Sequence, residues 1–485
     1  MLTLDEYASY DGMGLADLVR RKEVSAEELL TCALSALDAT NPKLNAVVRR
    51  LEDEARSALR SGLPDGPFKG VPFLLKDLGA DYGGVPTTWG APFRANNIPE
   101  TDSELVTRYK RAGLVAFGKT AVPELAMNWG MASSLFGVTR NPWDLERNPG
   151  ISSGGSAAAV AAGIVPMAHG NDGGGSIRVP ASCTGTFGLK PTRHRSPVGP
   201  ILGDVWNGMV CDHALTRSVR DSAALLDAIA GQDVGAFYIA PHQAKPFLSE
   251  IGRDPGRLRL AWTAKAPYGA PTHPDCVAAL GSAVRLCADL GHIVEEATLP
   301  LPEDGWSAFE TFLTTEYAAG VDEDDKRLGR QLAAADFDGV IWRIIERGRR
   351  ITAVELARAM RVLHAICRRL SGFFASYDGL ITPALAVPQV THTHFDMKTL
   401  DVSGYWRGYL AYMPFTHPYN IGGQPAMSVP LHWSAEGLPI GVQFVAGVGE
   451  EATLFRLAAQ LEAARPWADR RPPIHATAVA TSHPS

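Results

Sequence analysis

In the run GNDGGGSIRVPA, Gly173, Gly174 and Gly175 stand immediately before Ser176. Three consecutive residues without a Cβ can aim their N–H groups, with that of Ser176, at one spot beside the Ser176 hydroxyl. That geometry is an oxyanion hole, and the chemistry it serves is acyl transfer through a serine. A plain tight turn is the other reading these residues allow. Upstream, NPGISSGGSAAAVAAG holds a serine pair, Ser152 and Ser153, among small residues. Further upstream still, Lys76 lies alone inside the apolar run GVPFLLKDLG.

Three other matches compete and are set aside. Gly113 to Thr120, GLVAFGKT, fits the phosphate-loop pattern, but its variable positions are Leu, Val, Ala and Phe, which suit a buried strand. Gly150 to Gly154, GISSG, fits a nucleophile elbow. That reading wants an apolar strand directly before it, and DLERNP is none. His392 and His394 form the only tight histidine pair, and no H-E-x-x-H occurs, so no metal centre is expected.

The elements that must position these groups follow from the apolar pattern. GVPFLLKDLG and LVAFGKT read as buried strands. Residues 1–62 read as helical. Ser25 and Glu28 form a capping box before ELLTCALSAL, and a second helix is predicted over Leu44 to Leu59. A further box, Thr101 with Glu104, is expected to open a helix ending near Gly113. The small-residue stretch from 147 to 191 is not a linker, because AAAVAAGIVPMA within it is helix and strand material. Beyond Ser218, helical and strand runs alternate, as α/β layers require. Residues 303–375 are helical by pattern, with a box at Thr352 and Glu355, and are expected as an insertion over the sheet. DGLITP and MSVPL return to strand, and a last helix is expected over about 450–463. The chain is read as one domain, 1–475, with 476–485 a disordered tail.

Bulk properties exclude several classes of function. The chain has 485 residues, 46% of them hydrophobic and 20% charged, an ordinary globular balance. Its formal charge of −6 supplies no field for nucleic acid or an anionic membrane. MLTLDEYASYDG lacks the character of a secretory signal, and the six cysteines have no paired spacing. Reduced thiols and a cytoplasmic location are the expectation.

The block from about 68 to 192 resembles the amidase signature family. GVPFLLKD is similar to the family's lysine strand. SSGGSAAAVAAG and GNDGGGSIRVPA are similar to its serine- and glycine-rich signature, and FGLKPTR, FTHPYNIGGQPAMSVP and GLPIGVQ to later landmarks. The resemblance implies an α/β fold in which helices cover both faces of a mixed central sheet. It implies a Ser–cisSer–Lys triad: Ser176 as nucleophile, Lys76 as base, and Ser152 as the bridging serine on a cis peptide after Ile151. The family's separation between the two serines favours Ser152 over Ser153. The hole would use the N–H groups of Gly173, Gly174, Gly175 and Ser176. Ile151 departs from the family's usual Gly, which bears on the local backbone and removes no reactive group.

Such a lysine must be neutral to accept a proton. Lowering an amine from ~10.4 to a useful ~7–8 takes about 4 kcal/mol of environment acting against charge. Burial among Phe73, Leu74, Leu75 and Leu78 can supply it. Asp77 points to the opposite face of the strand. Arg178 is read as ordering the loop with Asp172. Met127, Asn128, Trp129, Met131 and Glu316 are expected to line the pocket. The resemblance implies no cofactor, a small-molecule amide substrate extending to carbamates, anilides and esters, and a homodimer. The alternatives are a carbamate-specific urethane hydrolase, the A subunit of a tRNA-dependent amidotransferase, and a non-catalytic binding protein, against which the intact Lys–Ser–Ser set argues.

Overall fold

A computed structural model describes residues 2–399 and 401–480. Among the described residues one eleven-stranded mixed sheet runs through the molecule. Its strands in chain order are β1 (Val47–Arg50), β2 (Pro72–Lys76), β3 (Val115–Thr120), β4 (Met167–Asp172), β5 (Phe187–Lys190) and β6 (Cys211–Thr216), then β7 (Arg259–Trp262), β8 (Ile293–Glu296), β9 (Gly379–Pro383), β10 (Ala426–Trp433) and β11 (Pro439–Val445). Across the sheet they lie in the order β1-β3-β2-β4-β6-β5-β10-β11-β9-β7-β8. β2 runs parallel to both β3 and β4, whereas β4 meets β6 antiparallel, with Asn171 opposite Asp212. Every residue of β2, β4, β9 and β11 is buried, so helices must cover both faces there.

This topology collects polar residues at one edge. Lys76 is the last residue of β2, and Asn171 and Asp172 end the parallel neighbour β4. Sites in open α/β sheets form outside such carboxyl ends. Two buried helices close over them. Gly154–Ala161 begins directly after Ser153, and Arg178–Thr184 begins two residues after Ser176. The first packs backbone to backbone: a Cβ on Gly155 would stand 2.6 Å from both N and O of Ala121. GLVAFGKT contains β3, with Lys119 buried 2.6 Å from Thr87 Oγ1 and 3.6 Å from Asp77, as its apolar residues implied.

The predicted helical segment comprises Gly305–Leu328, Gly339–Gly348 and Ala353–Phe374, the last opened by the Thr352–Glu355 box. Its apolar faces build a second core from Phe309, Phe312, Ile341, Ile344, Leu363 and Ile366, separate from the core against the sheet. Tyr405, Trp406, Tyr409 and Tyr412 of the helix Val402–Tyr412 join that second core.

Three expectations need correction. Leu44 to Leu59 is not one helix: Asn45 turns left-handed, β1 follows, and a helix resumes over Glu52–Ser61. β-Branched Val47 and Val48, beside a sheet edge with an unpaired strand, override helical propensity. Ser103, not Thr101, caps the helix Glu104–Arg111, its hydroxyl accepting from the Val106 N–H. Residues 476–480 form a short helix, with buried Ala476 donating its N–H to the Ala162 carbonyl at 2.9 Å. The remainder of the expected tail, 481–485, lies outside the described residues. No described helix is long and apolar enough to cross a membrane.

Candidate active site

Lys76 Nζ is buried and lies 2.6 Å from Asn171 Oδ1, 2.8 Å from Ser152 Oγ and 3.0 Å from Ser153 Oγ. Burial pushes the amine down from 10.5 to about 7, against the pull of Asp212 and Asp172. The backbone of Lys76 is held as well, since its N–H donates to His169 Nδ1 at 3.2 Å. That bond leaves the proton on His169 Nε2, which donates to Asp212 Oδ1 at 3.0 Å. Asp77 turns the other way, accepting from the Thr88 N–H and hydroxyl and pairing with Lys119.

The peptide between Ile151 and Ser152 is cis. Ser153 donates its N–H to the Ser176 carbonyl at 3.3 Å, which stitches the two serine segments together. Ser152 and half-buried Ser176 share the wall of one cavity. Among the described residues no hydrogen bond joins their hydroxyls directly.

The glycine loop is organised by a buried ion pair. Arg178 donates to Asp172 through Nε at 2.9 Å and Nη2 at 2.8 Å, and its remaining donors reach the Thr416 carbonyl, Gln443 and Asn420. Burial alone would raise Asp172, but the Arg178 guanidinium more than offsets it and holds the carboxyl well below the usual range. Arg178 therefore orders the loop and takes no part in the cavity wall. Asp172 Oδ1 also accepts the Gly175 N–H at 2.8 Å. This corrects one expectation: the Gly175 amide, expected among the oxyanion donors, is already committed to Asp172.

The cavity measures about 330 Å³. On one side stand Ser152, Asn171, Gly173, Gly174 and Ser176; on the other an aromatic wall includes Trp129, Trp206, Tyr317, Tyr405, Trp406 and Tyr409. Of the expected pocket residues, Trp129 and Glu316 are on this wall. Burial, with Asp204 and Glu323 nearby, pushes the Glu316 carboxyl up. Met127, Asn128 and Met131 are buried behind it instead. The Met127 carbonyl accepts from the Tyr405 hydroxyl at 2.9 Å, and Asn128 donates to Asp338 at 2.8 Å. Met131 packs beside Gly154. Leu125 and Ala126, both at positive φ, present this loop to the cavity.

Sequence reasoning missed Asn171, although it sits inside the quoted GND run, and it missed Tyr409 and Trp406. The spacing of aromatics in YWRGYLAY, one helical turn apart, was the available signal. Asp212 had no local signal at all. His392 Nδ1 donates to the Gly130 carbonyl at 3.1 Å.

Residues 28–455 match the Amidase family. The chain is 37% identical over 478 residues to a 6-aminohexanoate-cyclic-dimer hydrolase of Paenarthrobacter ureafaciens, covering 96% of each chain. It is 33% identical over 466 residues to an acylamidase of Rhodococcus erythropolis, covering 94% of this chain and 96% of that one. Its fold matches a structure of 6-aminohexanoate cyclic dimer hydrolase complexed with substrate at a TM-score of 0.91 and 36% identity, over 96% of this chain and 99% of that one. The chain belongs to the amidase signature family, and it is a hydrolase of amide C–N bonds.

Proposed function

We propose that Ser176 is the nucleophile, Ser152 the proton relay and Lys76 the terminal base. One observation carries the reading: the hydrogen bonds around Lys76 Nζ leave its lone pair a single proton source. A neutral amine donates two hydrogens and accepts one. Asn171 Oδ1 is an acceptor only and takes one N–H. Ser153 Oγ already donates to the Asn171 carbonyl at 3.2 Å, so it takes the other N–H as acceptor. Ser152, 2.8 Å away, is left to donate its own hydrogen to the lone pair.

A Ser152 so polarised accepts the Ser176 proton as the Ser176 oxygen attacks the substrate carbonyl. Rotation of the Ser176 side chain into staggered contact with Ser152 closes the remaining leg, a tightening common on substrate binding. The oxyanion is met by the free amides of Gly173, Gly174 and Ser176. Collapse of the tetrahedral adduct expels an amine, which leaves once Ser152 has returned the proton to its nitrogen. Water then adds to the acyl-enzyme by the same route and releases the acid.

The aromatic wall favours small to medium amides with an apolar or ring-bearing group. Carbamates, anilides and esters present the same carbonyl to the same donors, so urethane cleavage uses no further residue. Purified protein assayed against amide, anilide, carbamate and ester chromogens is expected to turn over the amide and anilide, with Ser176→Ala silent on every substrate. Turnover by Ser176→Ala equal to wild type overturns the assignment.

A further inference from the structure

The peptide plane between Gly174 and Gly175 is gripped at both ends. Its N–H donates to Asp172 Oδ1. Its carbonyl, that of Gly174, accepts from Thr416 Oγ1 at 2.6 Å and from the Tyr409 hydroxyl at 3.1 Å. Both donors come from more than 230 residues further along the chain. Glycine is required for this grip. A Cβ at Gly174 would stand 2.8 Å from the Tyr409 oxygen, and one at Gly175 would stand 2.6 Å from Thr416 Oγ1.

We infer that Tyr409 and Thr416 are positioning residues for the oxyanion hole. A peptide between two glycines rotates with little steric resistance. If this plane turned over, its carbonyl would point where its N–H now meets Asp172, against that carboxylate, and the accompanying rotations at Gly174 and Gly175 would draw the flanking Gly174 and Ser176 amides out of alignment. Donors aimed in advance are what make such a hole effective, because no reorganisation is then needed during the reaction. Asp172 alone fixes one end of the plane; the two hydroxyls fix the other and prevent the turnover. Tyr409 is suited to this, since burial pushes its phenol up and keeps it a donor. Its ring also lines the cavity, 5.4 Å from Trp129 and 5.1 Å from Trp306 between ring centres, so one side chain both walls the cavity and holds the Gly174 carbonyl.

This inference rests on Ser176 as nucleophile, and its test separates the two. Tyr409→Phe, Thr416→Val and the double variant are compared with wild type for kcat and KM on an anilide. The same proteins are compared for affinity toward a boronic acid, which forms a tetrahedral adduct with serine, and toward the product carboxylic acid, which does not. Each single variant is expected to lose about threefold to tenfold in kcat, and the double variant more than the product of the two, because either hydroxyl alone still holds the carbonyl. KM and product affinity stay within about twofold, while boronate affinity falls in step with kcat. Thr416→Ser, which keeps the hydroxyl, restores wild-type behaviour. If Tyr409→Phe folds poorly, the Thr416→Val and Thr416→Ser pair carries the test alone. Loss confined to KM, or unchanged boronate affinity in the variants, overturns the inference. Fluorophosphonate labelling of wild type identifies the other failure: absence of label at Ser176 refutes the nucleophile, whereas label at Ser176 with unchanged boronate affinity in the variants refutes only the positioning role.

Discussion

The two sides of the cavity are built on opposite terms. Around Lys76, Asp172 and Arg178 the side-chain donors and acceptors are engaged: Asp172 takes bonds from Gly175, Ile177, Arg178 and Asn420, and Arg178 reaches four different residues. The facing wall leaves polar atoms without a hydrogen bond among the described residues. Trp129 Nε1, Trp406 Nε1 and Asp204 Oδ1 are buried and unbonded, and both nitrogens of His417 behind the wall are too. Buried polar groups are normally satisfied. On the proposed mechanism, this contrast separates a reacting side held in place by its own hydrogen bonds from a facing side whose unbonded donors can meet a substrate. Changes on the first side should strike kcat, and changes on the second should strike KM.

The sharpest way to break this comparison is the serine pair. Ser152→Ala is expected to reduce kcat by about 10³–10⁴-fold, and Ser153→Ala by only about tenfold, since the second hydroxyl steadies the amine without passing the proton. Stopped-flow and steady-state assays on both variants decide it; equal losses would remove the proton assignment. A smaller but continuous effect is expected from pH. With Lys76 at about 7, kcat/KM should fall about tenfold per pH unit below that value and level off above it. Stability follows the same group with a definite sign. Between the folded value of about 7 and the unfolded 10.5 the unfolded chain holds the extra proton, so wild type gains stability with rising pH across that window. Denaturant titrations should show Lys76→Met gaining most over wild type below pH 7, and an advantage that does not shrink toward pH 10 would contradict the buried neutral amine. The smallest effect lies on the far wall. Glu316→Gln should raise KM about twofold to fivefold for amine-bearing amides and leave kcat and neutral substrates unchanged, because only a partly screened charge is removed. A fall in kcat of the same size would erase the distinction between the two sides.

How much of this was legible without coordinates follows the same division. Lys76 inside an apolar strand and the Asp172–Arg178 partnership are local patterns, and they stand where the pattern put them. The site's remaining parts arrive from far along the chain. Asp212 is set opposite Asn171 by strand register and has no local signal. Tyr409, on the helix Val402–Tyr412, and Thr416, in the turn after it, are set against Gly174 by tertiary docking that the aromatic spacing of YWRGYLAY does not by itself reveal. The pocket loop illustrates the limit. Trp129 lines the cavity but Met127, Asn128 and Met131 are buried behind it, in a loop whose positive φ at Leu125, Ala126 and Met131 leaves side-chain direction to no regular period. β1 was hidden for a related reason: its partner strand is β3, which follows about 70 residues later.

The backbone crowding at Gly155 bears on how mutational surveys of this protein would read. A library selected merely for soluble expression should discard every replacement at Gly155, where even a methyl group collides with the main chain of Ala121. The same library should accept alanine at Ser176. Selection for turnover would reject both. Comparing the two surviving populations therefore sorts letters of the serine-rich stretch retained for close chain contact from those retained for reactivity, with no substrate named in advance.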